Sequence, residues 1–385
     1  MTNYEFTCDA LPGRVVFGVG ALDRVPGEVE ALGAGRALLI SGGHEREVAN
    51  RLGRALGPRL AGRFDEVRPH VPIDLASAAR AAAGAVGADL LITLGGGSTT
   101  GLGKAVALER GTPILAIPTT YAGSEMTPIW GLTEDGHKTT GRDPRVLPRV
   151  VVYDPVLTLS LPARLSAASG MNAMAHCVEA SYAGGTSPIV TLMALEGIAA
   201  LARSLPGVLR TPQDLEIRSE LLFAAHLAGT TLAAAGSGLH HKICHVLGGA
   251  YDLPHAETHA VILPHVVAFN APALSEAMGR IAAALGVDDP AGGLFDLDVL
   301  LGLPTRLVDI GMREGDLDEA AELIAGDVVQ NPRPVDVPAL RRLLDDAAFG
   351  RRPTVKSTGG RAQPAQDDRA QPAKRVPQAT HIGPS

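Results

Sequence analysis

The chain has 385 residues, of which 46% are hydrophobic and 19% are charged. This composition is typical of a soluble globular protein that is long enough for two domains. The net charge of −7 argues against a nucleic-acid backbone as partner. The three cysteines form no even disulfide framework, and neither a signal peptide nor a long apolar run is evident. We therefore predict a cytoplasmic protein that binds neither nucleic acid nor membrane.

Short apolar runs alternate with helical segments in the first part of the chain. The runs that predict strands are 14–17 (RVVF), 37–41 (ALLIS), 89–94 (DLLITL), 114–117 (ILAI) and 149–153 (RVVVY). An alanine-rich segment at 75–86 predicts a helix between the second and third of these strands. Continuous apolar strands that alternate with helices indicate a parallel sheet covered on both faces. In such sheets ligands bind at the carboxyl ends of the strands.

The remainder of the chain changes character. From Ser166 to about Leu344 the apolar spacing predicts helices almost throughout, with loops near 184–185, 206–207, 288–293 and 331–338. After about Arg351 apolar residues nearly vanish, so this segment cannot bury enough surface to order itself. We therefore predict an α/β domain at 1–160, an all-α domain at 161–350 and a dispensable disordered tail at 351–385.

Two polar loops follow consecutive predicted strands. The segment GGGS at 95–98 comes directly after the third strand and precedes a helical run that contains Lys104. Glycines let a backbone approach a pyrophosphate, and a serine adds a hydroxyl donor, although any tight strand-to-helix turn also uses glycine. The segment PTTYAGSEM at 118–126 follows the fourth strand, and its hydroxyls either reach a ligand or cap a helix. Their shared place at the sheet edge predicts a phosphate-binding site.

Histidines concentrate in the second part of the chain. Six of the twelve fall between residues 240 and 265. His241 and His245 are four residues apart and share one face of a predicted helix, which Gly248 and Gly249 are expected to end. His255 then returns after a turn, so three imidazoles can converge on one small volume. The cluster predicts a site for a metal or a polar substrate, and the alternative is a helix end with partly exposed histidines.

The segment SGMNAMAHCVEA at 169–180 repeats this spacing, because Asn172 and His176 are also four residues apart. A polar pair in an alanine-rich helix is often only a satisfied core pair. The repeated geometry favours a place in the same site as His241 and His245.

The motifs together resemble the iron-containing alcohol dehydrogenase superfamily, and within it the maleylacetate reductases. They are GGGSTTGLGKA, PTTYAGSEMTP, VVVYDPVLTLSLP, SGMNAMAHCVEA, and GLHHKICHVLGG with LPHAETHAVILPHV. The resemblance runs from about Glu5 to Gly350. It implies a dehydroquinate synthase-like fold, with an N-terminal Rossmann-like dinucleotide-binding domain, a C-terminal helical domain and the active site between them. It also implies a homodimer that reduces the dicarboxylate 2-maleylacetate to 3-oxoadipate with NADH or NADPH, in aromatic-compound degradation.

The resemblance assigns cofactor contacts to particular positions. The pyrophosphate is expected on Gly95, Gly96, Gly97 and Ser98, the nicotinamide half beside Thr119 and Thr120, and a ribose near Lys138. Ser124 is also expected to contact the cofactor. Many members carry an aspartate after the second strand that repels a 2′-phosphate. Gly42 stands there instead, with His44 and Arg46 nearby, so we expect both NADH and NADPH to serve.

The resemblance also indicates which residues would bind a metal and whether one is expected. Metal-dependent members bind Fe²⁺ or Zn²⁺ through one aspartate and three histidines, and the matching residues here are Asn172, His176, His241 and His255. A further aspartate of the superfamily is replaced by Gly101. An amide offers only a neutral oxygen to a cation. We therefore predict catalysis without a metal, with the three histidines as the ligands if one is held.

Without a metal, the charge that develops on the substrate ketone needs other donors. His241, His245 and Lys242 are the candidates, with His245 as the proton donor, while Lys242, Arg142 and Arg145 are candidates for the substrate carboxylates. Asn172, His176 and His255 are expected to hold the substrate and one another. Two alternatives stay open: a metal-dependent alcohol or aldehyde dehydrogenase, and a silent relative that only binds a nucleotide or a partner.

Overall fold

The structure, a computed structural model, describes residues 13–134, 137–326 and 330–355, apart from the side chains of residues 137 and 138. The strands are β1 (Arg14–Phe17), β2 (Ala37–Ser41), β3 (Leu60–Phe64), β4 (Leu90–Gly95), β5 (Ile114–Pro118), β6 (Ile129–Glu134), β7 (His137–Arg142) and β8 (Val150–Tyr153). The α-helices are α1 (Val25–Ala31), α2 (Arg46–Leu56), α3 (Ile73–Ala85), α4 (Gly97–Arg110), α5 (Ala163–Ala180), α6 (Pro188–Arg210), α7 (Leu215–Ala235), α8 (Leu239–Tyr251), α9 (His255–Asn270), α10 (Ser275–Leu285), α11 (Pro290–Leu300), α12 (Leu317–Ala325) and α13 (Val337–Phe349).

The main sheet has six parallel strands in the order β1-β8-β5-β4-β2-β3. Its strands are apolar on both faces because each face carries a core. Leu38 and Leu91 pack in a core with α3 and α4, which continues into the helical part, whereas Leu39 and Ile92 pack with α1 and α2. The predicted parallel sheet is confirmed, and the five predicted strands agree with the structure to within one residue at each end.

Three strands were not predicted, because none of them is a continuous apolar run. β3 (LAGRF) is only half-buried at the edge of the sheet, beyond β2. β6 and β7 form a separate antiparallel hairpin. The segment GGGS therefore follows the fourth strand of the chain rather than the third.

The chain is helical after Pro162, as predicted, but two of the predicted interruptions of helices are wrong. Residues 206–207 lie inside α6, where a Cβ added to Gly207 would be 2.7 Å from the Ile217 side chain, so the glycine permits close packing on α7. The turn comes later, and the Asp214 side chain then caps α7. Similarly, α8 continues through Gly248 and Gly249 and ends only at Asp252, which has a positive φ of 54°.

One described helix, α6, is long and apolar enough by length and composition alone to cross a membrane. The pair α7 and α8 passes the same test only as one span bent by 100°. Half of the apolar window in α6 is buried in the fold, which is also what a core helix of a soluble protein shows. The absence of a membrane partner therefore stays a prediction.

The first residues of the segment predicted as a disordered tail are hydrogen-bonded to the folded part of the chain. Arg352 makes two hydrogen bonds, of 2.8 and 2.7 Å, to the Asp296 carboxylate, and the Val355 N–H donates to Asp289 at 3.0 Å. These contacts hold Arg352 and Val355 at α11, so the predicted boundary moves to residue 356. The rest of the predicted tail, 356–385, lies outside the described residues. The domain division at residue 160 stays a prediction.

Candidate active site

The loops after β4 and β5 lie side by side at the carboxyl edge of the sheet. Gly95 is paired with Pro118, and the Thr119 N–H donates to the Gly95 carbonyl at 3.1 Å. A Cβ added to Gly96 would be 3.0 Å from Thr120 Cγ2, so a larger residue would require the Thr120 side chain to move. The helix α4 begins at once, and the unpaired N–H groups of its first turn suit a phosphate.

The structure thus brings together most of the predicted cofactor residues. Along this edge lie Gly95, Gly96, Gly97, Ser98, Thr119 and Thr120. Gly42 directly follows the neighbouring strand β2, whose Ser41 is paired with Leu94. The Thr119 hydroxyl is 3.2 Å from Glu45, which lies just after Gly42 in the chain. The side chain of Lys138 lies outside the described residues.

Ser124 is held by Lys104, which sequence reasoning noted only as part of a helix. The wholly buried Lys104 ammonium lies 2.6 Å from the Ser124 carbonyl and 3.2 Å from its hydroxyl. It also reaches the Thr127 carbonyl at 2.8 Å, the Thr127 hydroxyl at 3.0 Å and the Ile129 carbonyl at 2.8 Å. Burial lowers the pKa of Lys104 to about 7, and the nearby Glu125 carboxyl opposes that change. Lys104 therefore fastens the loop after β5 to the helix that follows GGGS.

Gly123 connects this loop to the helical part. It has a positive φ of 76°, and a Cβ at this position would lie 3.0 Å from Gly229 Cα in α7 and 3.5 Å from His176 Nδ1 in α5. No larger residue fits there without a shift of backbone. The sheet edge and the histidine cluster therefore adjoin across Gly123.

The helices α5, α8 and α9 bring the predicted histidines together. The rings of His176 and His241 stack with centroids 4.8 Å apart, and His245 lies 6.2 Å from His241. Asn172 precedes His176 by one turn of α5. His255 begins α9, and like His245 it is exposed, whereas Asn172, His176 and His241 are buried. The cluster thus has a buried floor and two exposed rings.

Glu179 is a site residue that sequence reasoning missed, although it is the one carboxylate in the segment 169–180. Its Oε2 lies 2.5 Å from His241 Nδ1 and accepts from the Gly238 N–H at 2.9 Å, while Oε1 accepts from the His240 N–H at 2.7 Å. Burial alone would raise the pKa of Glu179, but His241 and these donors outweigh it and lower the pKa to about 2. The ionised carboxylate fixes the His241 ring and leaves its Nε2 facing away.

His240 and His259 are a second feature that the spacing did not reveal. The two rings are wholly buried, with His240 Nε2 2.8 Å from His259 Nδ1 and Cys244 Sγ 3.7 Å from His240 Nε2. Burial and then the neighbouring His241 lower the pKa of His240 to about 3, and burial holds the pKa of His259 well below its usual range. One ligand atom from each of His240, Cys244 and His259 lies within 4.8 Å of the others.

The predicted cationic residues differ in their surroundings. Lys242 is half-buried on α8, and burial lowers its pKa. Arg142 donates to the Ala233 carbonyl at 2.6 Å, and Arg145 pairs with Asp143 at 2.7 Å. Lys242 lies on the same helix as His241 and His245, which makes it the stronger candidate for a substrate carboxylate.

Several donor atoms in the cluster suit a divalent metal. Among the described residues, Asn172 Oδ1, His176 Nδ1 and His241 Nε2 are buried without a hydrogen-bond partner. Imidazole nitrogens are common ligands of Fe²⁺ and Zn²⁺. The Glu179 carboxylate behind His241 is the arrangement that orients a ligating histidine. Asn172, His176, His241 and His255 therefore fit as the residues that would hold a metal.

The chain matches two family models. "Iron-containing alcohol dehydrogenase" matches residues 12–155, and "Fe-containing alcohol dehydrogenase family, C-terminal" matches residues 166–348. The family implies a bound iron, so the prediction of catalysis without a metal is wrong. That prediction assumed that replacing the aspartate by Asn172 leaves the charge of a metal unbalanced. It overlooked Glu179, whose buried negative charge lies directly behind His241.

Several maleylacetate reductases are similar to this chain over nearly its whole length. The maleylacetate reductase of Burkholderia cepacia is 51% identical over 91% of this chain and 99% of its own length. That of Sphingobium indicum is 49% identical over 90% of this chain and 98% of its own. The crystal structure of maleylacetate reductase from Agrobacterium tumefaciens superposes with a TM-score of 0.88 at 46% identity, covering 91% of this chain and all of that one. The chain belongs to the iron-containing alcohol dehydrogenase family and, within it, to the maleylacetate reductases.

Proposed function

We propose that this protein reduces 2-maleylacetate to 3-oxoadipate with NADH or NADPH, in the breakdown of aromatic compounds. The observation that carries the proposal is the identity of about one half, over nearly the whole length, with maleylacetate reductases. The geometry agrees, because a phosphate-binding edge adjoins a cluster of proton-carrying side chains across Gly123.

The cofactor takes the sheet edge in this proposal. The pyrophosphate lies on Gly95, Gly96, Gly97 and Ser98 at the start of α4. Thr119, Thr120 and Ser124 flank the nicotinamide half, since their loop leads to His176 through Gly123. Gly42 follows β2 and itself carries no carboxylate to repel a 2′-phosphate, and we expect both cofactors to serve although the Glu45 carboxylate lies beside it.

The reaction is an alkene reduction. Hydride leaves C4 of the nicotinamide and forms a bond to the alkene carbon β to the ketone, which converts NAD(P)H to NAD(P)⁺. The alkene electrons move to the ketone oxygen as an enolate. A proton then adds to the carbon α to the ketone, and 3-oxoadipate results. The protein must therefore stabilise one oxygen anion and deliver one proton.

The side chains of the cluster divide these tasks. A metal held by Asn172, His176, His241 and His255 would supply Lewis acidity toward the ketone oxygen. Glu179 holds the His241 ring in one orientation. His245 is exposed beside His241 and is the proton donor.

Charged partners are also needed for the two substrate carboxylates. The pKa of Lys242 is lowered by burial, yet its ammonium is the half-buried cation on the helix that carries His241 and His245. We assign it to one carboxylate.

The protein is further proposed to act in the cytoplasm as a homodimer, without nucleic-acid or membrane partners. The strand β1 supports a dimer, because it is an edge of the main sheet and Val15, Phe17 and Val19 are exposed on or beside it. Exposed sheet edges with apolar side chains favour pairing with another chain.

The direct test is the oxidation of NADH and of NADPH with maleylacetate as substrate. We expect turnover with both cofactors, with kcat/KM values within about a hundredfold of each other, a difference of about 2.7 kcal/mol. No turnover with either cofactor would contradict the proposal, and a larger ratio would contradict the role given to Gly42.

A metal-dependent alcohol or aldehyde dehydrogenase is the second candidate. The family and the buried donors Asn172 Oδ1 and His241 Nε2 favour it. Turnover of simple alcohols or aldehydes at a higher kcat/KM than maleylacetate would replace the first proposal with this one.

A further inference from the structure

The pair formed by His240 and His259 lies directly behind the active-site rings. The His259 ring is 4.4 Å from the His255 ring at 67° and 4.9 Å from the His241 ring at 69°. It also contacts the edge of His176 at 6.4 Å. Edge-to-face contacts of this kind constrain the planes of the rings that make them. His259 thus borders three rings of the site, although it is wholly buried itself.

The contact matters most for His255. This residue is the first of α9 and is exposed. His259 follows by one turn on the same helix and packs against it. The contact with His259 is therefore one constraint on the position of the His255 ring.

His259 is held in turn by His240. A nitrogen-to-nitrogen distance of 2.8 Å is that of a hydrogen bond between one ring N–H and one ring lone pair. Inside a fully buried site such a bond fixes ring orientation, because either ring would lose its partner on rotation. The two histidines come from α8 and α9, so the bond also fixes these helices to each other at the site.

We infer that His240 and His259 are a positioning pair for the reaction, which holds His241 and His255 in the geometry that acts on the substrate. This inference rests on the proposed function for its substrate. Neither member of the pair needs to touch the substrate, because both are buried beneath the rings that do.

A metal held by His240, Cys244 and His259 is the competing explanation of this group. Two nitrogens that bind one tetrahedral metal at about 2.0–2.1 Å lie about 3.3 Å apart. The observed 2.8 Å is shorter and has hydrogen-bond length. The distances therefore favour the hydrogen bond.

A matched pair of substitutions at His240 separates the hydrogen bond from mere packing. The amide of His240→Gln can reach the place of the ring Nε2, whereas His240→Leu fills the space without a polar atom. We expect His240→Leu to lower kcat/KM for maleylacetate about tenfold and to leave KM for NADH within about twofold. His240→Gln should recover most of the loss. Equal losses in both variants, or a loss confined to NADH binding, would overturn the inference.

His265 offers the matched control. It is also a buried histidine of α9 with an unpaired Nε2, but it stands outside the described ring contacts of the cluster. His265→Leu and His265→Gln should give the same kcat/KM, whatever they do to stability. A difference between them as large as that at His240 would show that the effect is general to buried histidines.

Nuclear magnetic resonance of the imidazole nitrogens tests the pair without turnover, so it separates a failure of this inference from a failure of the proposed function. We expect one ring N–H shared between His240 and His259, protected from exchange with water. It should persist in Cys244→Ser and vanish in His240→Leu. A wild-type spectrum without this N–H, or a bound metal that Cys244→Ser removes, would overturn the inference.

Discussion

The sheet edge and the histidine cluster are adjacent but are built by different means. The edge is formed by backbone: glycines at strand ends, the first N–H groups of α4 and a loop that one buried lysine holds. The cluster is formed by side chains from α5, α8 and α9, whose mutual contacts are buried and polar. The difference suggests that changes at the edge mainly affect cofactor binding and stability, whereas changes in the cluster mainly affect chemistry.

The two regions also contain contrasting buried carboxyls. Glu125 lies in the loop after β5, and burial raises its pKa, although the hydrogen bond of 2.7 Å from Tyr153 opposes that change. Glu179 lies in the cluster, where burial is outweighed by His241 and backbone N–H groups, so its pKa is about 2. Burial thus raises the pKa of the carboxyl in the loop, whereas its neighbours lower the pKa of the carboxyl in the cluster. The same residue type serves as structure in one region and as an electrostatic element in the other.

The largest expected effect is that of His245→Ala. Loss of a positioned proton donor lowers kcat by about 10² to 10³. NADH binding should stay nearly intact, because His245 belongs to the cluster and not to the sheet edge. Steady-state kinetics and a fluorescence titration with NADH check the two parts. A wild-type kcat in this variant would remove His245 from the mechanism.

The next prediction compares two lysines, one from each region. Lys104→Met removes a buried cation that three carbonyls accept from, so the free energy of unfolding should fall by about 3 kcal/mol. KM for NADH should rise with it. Lys242→Met should change stability by less than about 1 kcal/mol but lower kcat/KM for maleylacetate. Urea denaturation and steady-state kinetics on both variants measure these effects. A large loss of stability in Lys242→Met, with a loss of kcat/KM for maleylacetate alone in Lys104→Met, would contradict the division of roles between the two regions.

Glu179→Gln keeps the shape of the side chain and removes its charge. Loss of the carboxylate that orients a site histidine typically lowers activity by about 10 to 100-fold, and we expect kcat/KM to fall by this amount. Glu125→Gln is the matched control in the other region and should stay within about threefold of wild type. Parallel assays of the two variants provide the comparison. Equal losses would mean that Glu179 acts through packing alone.

Glu125 also predicts a dependence of stability on pH. Its pKa in the fold lies above the ordinary 4.5, so its contribution is fully present below pH 4.5 and is lost as pH rises through the raised value. Glu125→Gln is neutral at every pH. The unfolding free energy of this variant should therefore increase relative to wild type as pH rises above 4.5. Urea titrations at several pH values would show a constant difference if Glu125 were ionised normally in the fold.

The smallest effect concerns the C-terminal boundary. Truncation after Val355 should leave stability unchanged, because every described contact of the chain end is retained. Truncation after Gly350 removes the Arg352–Asp296 pair and the bond from the Val355 N–H to Asp289. These partly exposed contacts suggest a loss of about 1 kcal/mol. Thermal midpoints of the two truncated proteins measure it, and identical midpoints would return the boundary to residue 351.

The backbone region was largely predictable from sequence, whereas the side-chain region was only partly so. Continuous apolar runs identified β2 and β5, and the glycines of 95–98 identified the loop beside them, because these signals are local. The spacing of His241 and His245 identified the cluster. Spacing could not show that Glu179 supports His241, because 62 residues separate them. The wrong prediction about the metal followed from that omission. It considered the loss of charge at Asn172 but not the Glu179 carboxylate, which is close to His241 in space.

Helix ends show the same limit. Gly248 and Gly249 were expected to end α8, yet the helix continues to Tyr251. Glycine lowers helix propensity only by about 1 kcal/mol, and packing of α8 on α9 and α12 can outweigh that amount. The glycine propensity was read correctly, but tertiary contacts decided the outcome.

Product analysis tests the central claim most directly. Maleylacetate offers two reducible groups, an alkene and a ketone, and the proposed geometry directs hydride to the alkene while the cluster acts on the ketone oxygen. Wild-type protein with NADH and maleylacetate, followed by mass spectrometry and nuclear magnetic resonance of the product, distinguishes them. The account predicts 3-oxoadipate, with the ketone intact and one NADH oxidised per molecule formed. An unsaturated hydroxy acid, with the alkene intact, would contradict it and identify a carbonyl reductase instead.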